Sequence, residues 1–435
     1  MLTARRPIVG CALLAVGVPL TTALGRDTVI PVLRPNEAIL LLVLGGFALN
    51  YLWTRKTFPY IGLDIAIAIF TVGCALIPWL VLLLGRSDMD FDTWRTVLSP
   101  LQFVMIYLCF AQLRLSDDQL SWLLNLTLGV SVIIGVIAIA ELQDFPPGVS
   151  ALAKTYFPPD HAFSIYNPVY RPTSTLGTYG AVAAFATLNF VLALTLAGRK
   201  TSRLGDVWLT AVMVVNLGSL VASLTWAPAA ALLLGAATVM WYLRYVPRQI
   251  WAGAAAAVVA LVVLWPAVSS RIEQQQISLG TIQTVDQRFT EWQVFFLPAL
   301  REHLWFGTGT VLPADVPQYL YDFVDTAYLR MGFRAGLLGL ALLMGMLTVV
   351  SLSAWRCRES VDPWRRRLGA IALATVVTII ITGFTGEYLT YGGLSQYIAM
   401  MFGLLAARLR FPVASPVVFL RPALQAQPVF AGVAT

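Results

Sequence analysis

Residues 269–325 read SSRIEQQQISLGTIQTVDQRFTEWQVFFLPALREHLWFGTGTVLPADVPQYLYDFVD and lie between two apolar runs, 250–268 and 326–353. Each flanking run is long enough to cross a bilayer, which takes about 17–25 predominantly apolar residues of helix. The stretch between them carries arginines, carboxylates, aromatics and a Gly-Thr-Gly turn. Hydrocarbon satisfies none of these polar groups, so a membrane protein keeps them only where water, protein or substrate does. The stretch therefore reads as a loop of a membrane protein and as the first place to look for recognition or chemistry.

The rest of the chain extends the pattern. Its 435 residues are 58% hydrophobic and 12% charged, with mean hydropathy +0.76, whereas soluble domains carry about 25% charged residues. Apolar runs near 8–25, 37–53, 61–84, 95–113, 120–140, 173–197, 206–225, 227–243, 250–268, 326–353, 367–386 and 391–408 predict about twelve transmembrane helices. The fold class is all-α: a polytopic helical integral membrane protein, with 1–435 as one membrane domain. The first run follows Arg5 and Arg6, as in a signal peptide, but no small-residue cleavage site follows it, and it reads as a retained helix. Cys11, Cys74 and Cys109 fall in apolar runs and Cys357 in an arginine-rich linker, a spacing that suits neither a disulfide framework nor a metal site. With His161 and His303 the sole histidines, a zinc or di-iron centre is a poor fit. No metal and no cofactor is expected.

Charge orients the spans. With the N-terminus in the cytoplasm, the inner linkers 1–7, 54–60, 114–119, 198–205, 244–249 and 354–366 and the tail, counted with the charges at the adjoining helix ends, hold 18 of the 29 Lys+Arg and five of the 22 Asp+Glu. The other 11 basic and 17 acidic residues lie outside or within spans. That asymmetry follows the positive-inside rule and places both termini in the cytoplasm. The net charge of +7 then reflects topology and contact with anionic lipid, not nucleic-acid binding. Two extracytoplasmic loops are long, 141–172 and 269–325. ATP is absent on that side, so a reaction there draws on a substrate with a good leaving group or on an ion gradient.

Several residues of these loops suit chemistry. Arg288, Glu291 and Trp292 share one helical face at i, i+3 and i+4. An arginine beside an aromatic ring suits a phosphate with a sugar or lipid head stacked on the ring; an internal Arg288–Glu291 pair on an interfacial helix is the alternative. Gly307 and Gly309 permit a tight turn whose amides approach a phosphate or sugar, although such a turn is also ordinary loop punctuation. His303 reads as a helix-end residue or a base. Asp325 and Tyr328 flank the re-entry into the membrane. Arg334, about two turns deeper, costs about 2.5–3.5 kcal/mol there unless a polar partner meets it. Arg171 stands just before a span among tyrosines and hydroxyl residues and supplies a second anion contact or an interfacial anchor. Glu387, beside Tyr388, is a further acid or base, and Asp64 reads as a helix-start residue facing the interface.

These arginines suggest an anionic, diphosphate-bearing substrate without a Walker signature or nucleotide fold. A carrier would show repeated halves and broken helices at mid-membrane; no repeat is evident, which favours an enzyme over a transporter or flippase for an anionic or lipid-linked saccharide. The order of motifs resembles the O-antigen ligase/O-antigen polymerase family of bacterial envelope enzymes. The resemblance rests on Arg288-Phe289-Thr290-Glu291-Trp292, on Leu304-Trp305-Phe306-Gly307-Thr308-Gly309, on Asp325-Thr326-Ala327-Tyr328 leading to Gly336-Leu337-Leu338-Gly339, and on Arg171 through Gly180. It covers roughly 165–345 in detail.

The resemblance implies glycan transfer from an undecaprenyl-diphosphate-linked oligosaccharide to a saccharide acceptor, at the outer face of the bacterial inner membrane. Arg171 and Arg288 would hold the diphosphate, with Arg334 assisting, and a base would deprotonate the acceptor hydroxyl. Trp292, Tyr328, Gly307 and Gly309 would line the substrate site. A chain-length regulator is a further expected partner. Where ligases of the family carry a histidine this chain has Asp325, and where they carry Ser-Arg it has Thr225-Trp226. The loss of the histidine favours a polymerase of repeat units, with Asp325 as base, over a ligase to lipid A-core.

Overall fold

The fold of the protein, in a computed structural model, is described over residues 2–25, 33–54, 59–85, 90–156, 170–197, 203–276, 288–309 and 326–411, and these hold no strand. The helices are α1 (Pro7–Thr21), α2 (Pro35–Thr54), α3 (Gly62–Leu84), α4 (Phe91–Leu98), α5 (Leu101–Ala111), α6 (Asp117–Gln143), α7 (Val149–Tyr156) and α8 (Tyr179–Ala197). They continue as α9 (Arg203–Ala222), α10 (Trp226–Leu243), α11 (Gln249–Val263), α12 (Trp265–Gln276), α13 (Leu297–Glu302), α14 (Ala327–Arg356), α15 (Pro363–Thr382) and α16 (Leu394–Arg410). Eight segments among the described residues are long and apolar enough to cross a membrane: α2, α3, Thr93–Ala111, α6, α8, Leu204–Ala222, α10 and α14. The protein is thus an all-helical chain built for a membrane. Helices α1 and α11 are apolar but only 15 residues long.

Two expected spans are divided. The run 250–268 becomes α11 and α12, which meet at Leu264, and Pro266 falls in the first turn of α12, where its missing amide leaves no bond unmade. The run 95–113 becomes α4 and α5, separated at Ser99-Pro100.

Helix α8 forms the centre. Its sequence, YGAVAAFATLNFVLALTLA, is apolar all round, and every residue from Gly180 to Ala197 is buried. Such a helix needs neighbours on every side, and α6, α9, α10, α15 and α16 supply them. Its polar side chains close on carbonyls: Thr187 donates to Pro228 O (3.1 Å), Asn189 to Phe185 O (2.9 Å) and Thr195 to Val191 O (2.8 Å).

One end of the bundle is held by arginines near the finish of α16. Arg408 donates to Asp362 (2.5 and 2.9 Å) at the start of α15 and to Asp117 (2.8 Å) at the start of α6. Arg410 pairs with Asp64 and donates to the carbonyls of Pro59 (2.8 Å) and Ala111. Asp64 does start a helix, accepting from the Ile61 amide (2.8 Å) to close the first turn of α3. It does not face the interface, however: its side chain is 4% exposed, because Arg410 (3%) and the Tyr107 hydroxyl (2.6 Å) satisfy its charge inside. Tyr242 at the finish of α10 donates to Ala354 O (2.5 Å) near the finish of α14. The linkers that the charge count groups together around 59–64, 111–117, 354–366 and 408–411 therefore meet at one end.

Removing one member of the buried Asp64–Arg410 pair strands the other charge, at a cost of about 3–5 kcal/mol. Asp64→Leu and Arg410→Met should each lower the melting temperature in detergent sharply. The double variant should lose clearly less than the two single losses combined; additive losses would show that the pair is not coupled.

Candidate functional site

The Gly-Thr-Gly turn is built into a broken helix. Helix α14 is interrupted at Gly336, whose φ/ψ of 63°/−159° lies outside helical space. A break of this kind frees amides and carbonyls that hydrocarbon cannot satisfy. The turn satisfies them: Leu337 N donates to Leu304 O (2.8 Å) and Leu338 N to Trp305 O (3.3 Å). In return Phe333 O accepts from the Thr308 amide (2.7 Å) and the Thr308 hydroxyl (3.2 Å). The fit has no room for side chains. A Cβ at Gly307 (φ 71°) would lie 2.3 Å from Phe333 O, and one at Gly336 2.3 Å from the Trp305 carbonyl. Gly309 (φ 82°) faces Leu82 of α3. The amides of Gly307 and Thr308 are thus spent within the protein, on His303 O and Phe333 O, and the glycines serve close backbone approach.

Around the break, the first half of α14 is fastened on two sides. Arg334 donates to Cys74 O (3.0 Å) of α3 and to Thr96 O (2.7 Å) and Val97 O (3.0 Å) in the last turn of α4. A cation there completes a helix C-terminus, so the polar partners that an arginine inside a span requires are backbone carbonyls. Thr326 Oγ1 and Ala327 N both donate to Gly383 O (2.9 Å each). Tyr328 donates to Ile380 O (2.7 Å) and packs edge-on against Phe384 at 4.9 Å.

Arg171 is buried (6% exposed) at the mouth of the central helix. Its Nε donates to Ser223 O (3.1 Å), and its Nη2 donates to Leu224 O (3.3 Å) and Thr225 Oγ1 (2.7 Å), just past the end of α9. Its guanidinium stacks on Tyr179, 3.3 Å from the ring centroid. The segment around it is held by Glu141, which is buried at the end of α6. Glu141 accepts from the Thr173 amide (3.2 Å), the Ser174 amide (2.9 Å) and the Tyr170 hydroxyl. Burial, then the Glu141 carboxylate, push the Tyr170 phenol above its ordinary value, which keeps it a donor.

The loop between α15 and α16 joins the two arginine-bearing segments. Tyr388 is buried there, within electrostatic range of both Arg171 and Arg288. Burial, then Tyr391, push its phenol well up against the pull of Arg171 and Arg288, so it stays neutral. Tyr391 packs edge-on against it (5.7 Å) and lies against Gly180 of α8. Glu387 pairs with Arg330 of α14 and accepts from Thr390 (3.0 Å).

No protein-family model matches this chain, and no curated protein matches it. The site is accordingly read from its own geometry. Arg171 and Arg288 converge on one loop at the end of the bundle opposite the Asp64–Arg410 pair. Arg288 begins a helical turn, 288–291, that widens into a π-turn at Trp292–Phe296, and the Trp292 ring meets Phe289 edge-on at 5.2 Å. Phe296 and Ala299 close this segment onto Phe333 of α14. His303 is an exposed residue ending α13. Arg334 is engaged elsewhere, between α3 and α4. Asp325 and His161 lie outside the described residues, as do 157–169, 277–287 and 310–325 of the two long loops. Sequence reading did not single out Glu141, the first residue of the loop 141–172, and took Tyr388 only as a neighbour of Glu387. A carboxylate placed directly at the end of an apolar run was the available signal for Glu141. Nothing local marked Tyr388. Chemically, two arginines within electrostatic range of one neutral phenol suit a multidentate anion such as a diphosphate.

Two outcomes follow. Gly336→Ala places a Cβ on backbone and forces a φ that costs about 1–3 kcal/mol by itself, so thermal stability in detergent should drop strongly. Thr308→Ala removes one of two bonds to Phe333 O and should cost about 1 kcal/mol or less; equal losses would contradict the interlock. Glu141→Gln sets an amide donor against the Thr173 and Ser174 amides and should cost about 1–3 kcal/mol in the same melt.

Proposed function

We propose that this protein is a metal- and nucleotide-independent glycosyltransferase of the O-antigen polymerase type. It would extend a polysaccharide from an undecaprenyl-diphosphate-linked donor at the extracytoplasmic face of a bacterial inner membrane. The reading takes about twelve spans with both termini in the cytoplasm. It sets the end that carries Arg171, Arg288 and Tyr388 outside, because the opposite end gathers the basic linkers. The observation that carries it is that Arg171 and Arg288, from separate loops, both act electrostatically on the same buried residue, Tyr388.

In this reading the two guanidiniums grip the diphosphate through charge-assisted bonds, and Tyr388 donates between them. The acceptor hydroxyl oxygen attacks the anomeric carbon, and its proton passes to a base, for which Asp325 is the proposed residue. The bond from the anomeric carbon to the diphosphate oxygen breaks. The electron pair leaves on the diphosphate, whose added charge the arginines stabilise more in the transition state than in the ground state. Glu141 keeps Arg171 aimed.

A transporter would draw on the break in α14, since discontinuous helices bind substrates in carriers. Here the groups freed at Gly336 bond to the backbone of the turn, which favours the enzyme. Attachment of finished chains to lipid A-core or another acceptor, as a ligase would perform, uses the same donor site and differs in product.

Arg288→Ala should lower chain growth by about a hundredfold or more while the protein stays in the membrane at normal level. Since Arg171 also caps α9, Arg171→Lys is the informative change there: it keeps the charge and loses the fork, and activity should fall while folding persists. Purified protein in detergent with lipid-linked saccharide as sole substrate reads both. Ladders of repeat units mark a polymerase, single additions to a distinct acceptor mark a ligase, and a protein inert without a sealed compartment is a carrier. Normal chain lengths in Arg288→Ala would refute the assignment.

A further inference from the structure

At the end opposite this cluster, the finishes of α10 and α14 and the start of α15 form a second basic site that the glycan reading does not use. Arg358 lies over Trp241 (4.3 Å to the ring centroid) and Trp355 (5.1 Å), and its Nη2 reaches Trp241 O at 3.4 Å. The two indoles are 5.4 Å apart and about half exposed, at 52% and 48%. Arg358 and Arg366 are both within electrostatic range of Tyr242, and Arg365 interacts with Cys357. Among the described residues, the Nε–H groups of Arg358, Arg365 and Arg366 are enclosed and have no hydrogen-bond acceptor, and Arg365 Nη2 donates to Leu409 O (3.5 Å), so contact with a ligand falls to the outer nitrogens of Arg358 and Arg366. The carboxylate of Asp362 in the adjoining linker is committed to Arg408.

Two arginines, Arg358 and Arg366, beside two half-exposed indoles at the end of membrane helices have a shared chemical logic. Indoles favour the headgroup level of a bilayer, with the ring in the acyl boundary and the N–H toward water. Guanidiniums at the same level pair with phosphate, and basic pockets between helix ends are recurrent sites for anionic headgroups. We infer that the junction of α10, α14 and α15 binds the phosphate of an anionic phospholipid, with Arg358 and Arg366 as its contacts and Trp241 and Trp355 against its acyl-glycerol part. A second chain or a soluble protein would not need the indoles at headgroup level. The inference is independent of the enzymatic reading and holds equally for a carrier.

The full-length protein in neutral detergent is titrated separately with cardiolipin, with phosphatidylcholine and with inorganic phosphate, and its melting temperature is followed. Cardiolipin should raise it saturably, whereas phosphatidylcholine and phosphate should not. Arg366→Gln should weaken the apparent cardiolipin affinity about tenfold, the loss of one charge-assisted contact, without moving the lipid-free melting temperature. Arg358→Gln should act in the same direction. Because Arg358 also bonds α10, Arg366→Gln decides the matter if Arg358→Gln fails to fold. An equal rise with phosphatidylcholine, an equal rise with phosphate alone, or unchanged cardiolipin affinity in Arg366→Gln would each overturn the site.

Discussion

In hydrocarbon, every backbone amide and carbonyl has to find its partner within the protein, and the architecture at the site end depends on how helix α14 meets that demand at Gly336. The helix stops there and restarts, and the groups it releases are taken by the backbone of 304–308 rather than by water. The exchange is backbone to backbone, so it tolerates no Cβ at Gly307 or Gly336. It ties the second long loop to a transmembrane helix and holds the segment that begins at Arg288. It also lets the first half of α14 depart from the axis of the second. That half carries Arg330 to Glu387 and Arg334 to the carbonyls of α3 and α4.

The two ends of the bundle use arginine differently. Where α16 finishes, Arg408 and Arg410 are matched by Asp362, Asp117 and Asp64, and the result is a clasp joining four helices. At the other end, Arg171 closes the finish of α9 through carbonyls and a hydroxyl, and its charge extends with that of Arg288 over Tyr388. A clasp costs desolvation and returns specificity of assembly. At the site end, the charges of Arg171 and Arg288 instead share one neutral phenol, Tyr388.

Much of this was legible in the residues. Each apolar run carries helix, two of them in two pieces, since a run of some twenty apolar residues has few alternatives in a bilayer. The charge asymmetry of the linkers anticipated which of them share an end. Arg171 and Arg288 stood out because a loop arginine among aromatics is an unusual expense in so apolar a chain. The Gly-Thr-Gly turn stood out as well, but its partner did not. Gly307 and Gly336 are far apart in sequence, and a glycine within an apolar helix is common enough to pass unnoticed. Asp64 was legible as the start of a helix and illegible as the partner of Arg410 at the other end of the chain. Glu141 looked like the first residue of a loop, and its three donors, Tyr170, Thr173 and Ser174, come from around that loop's far end.

The sequence by itself determined the helical membrane class and the alternation of basic and acidic linkers. It did so because transfer free energy and helix length are local properties, additive along the chain. Only the tertiary structure decided which arginine serves what. It committed Arg334 to bracing α3 and α4, brought Arg171 and Arg288 together at Tyr388, and gave the glycines of the turn a broken helix to fill. Those outcomes turn on which backbone groups and charges meet across long separations. Hydrogen bonds and ion pairs act over a few ångströms in space, and no spacing within a single run of residues encodes them.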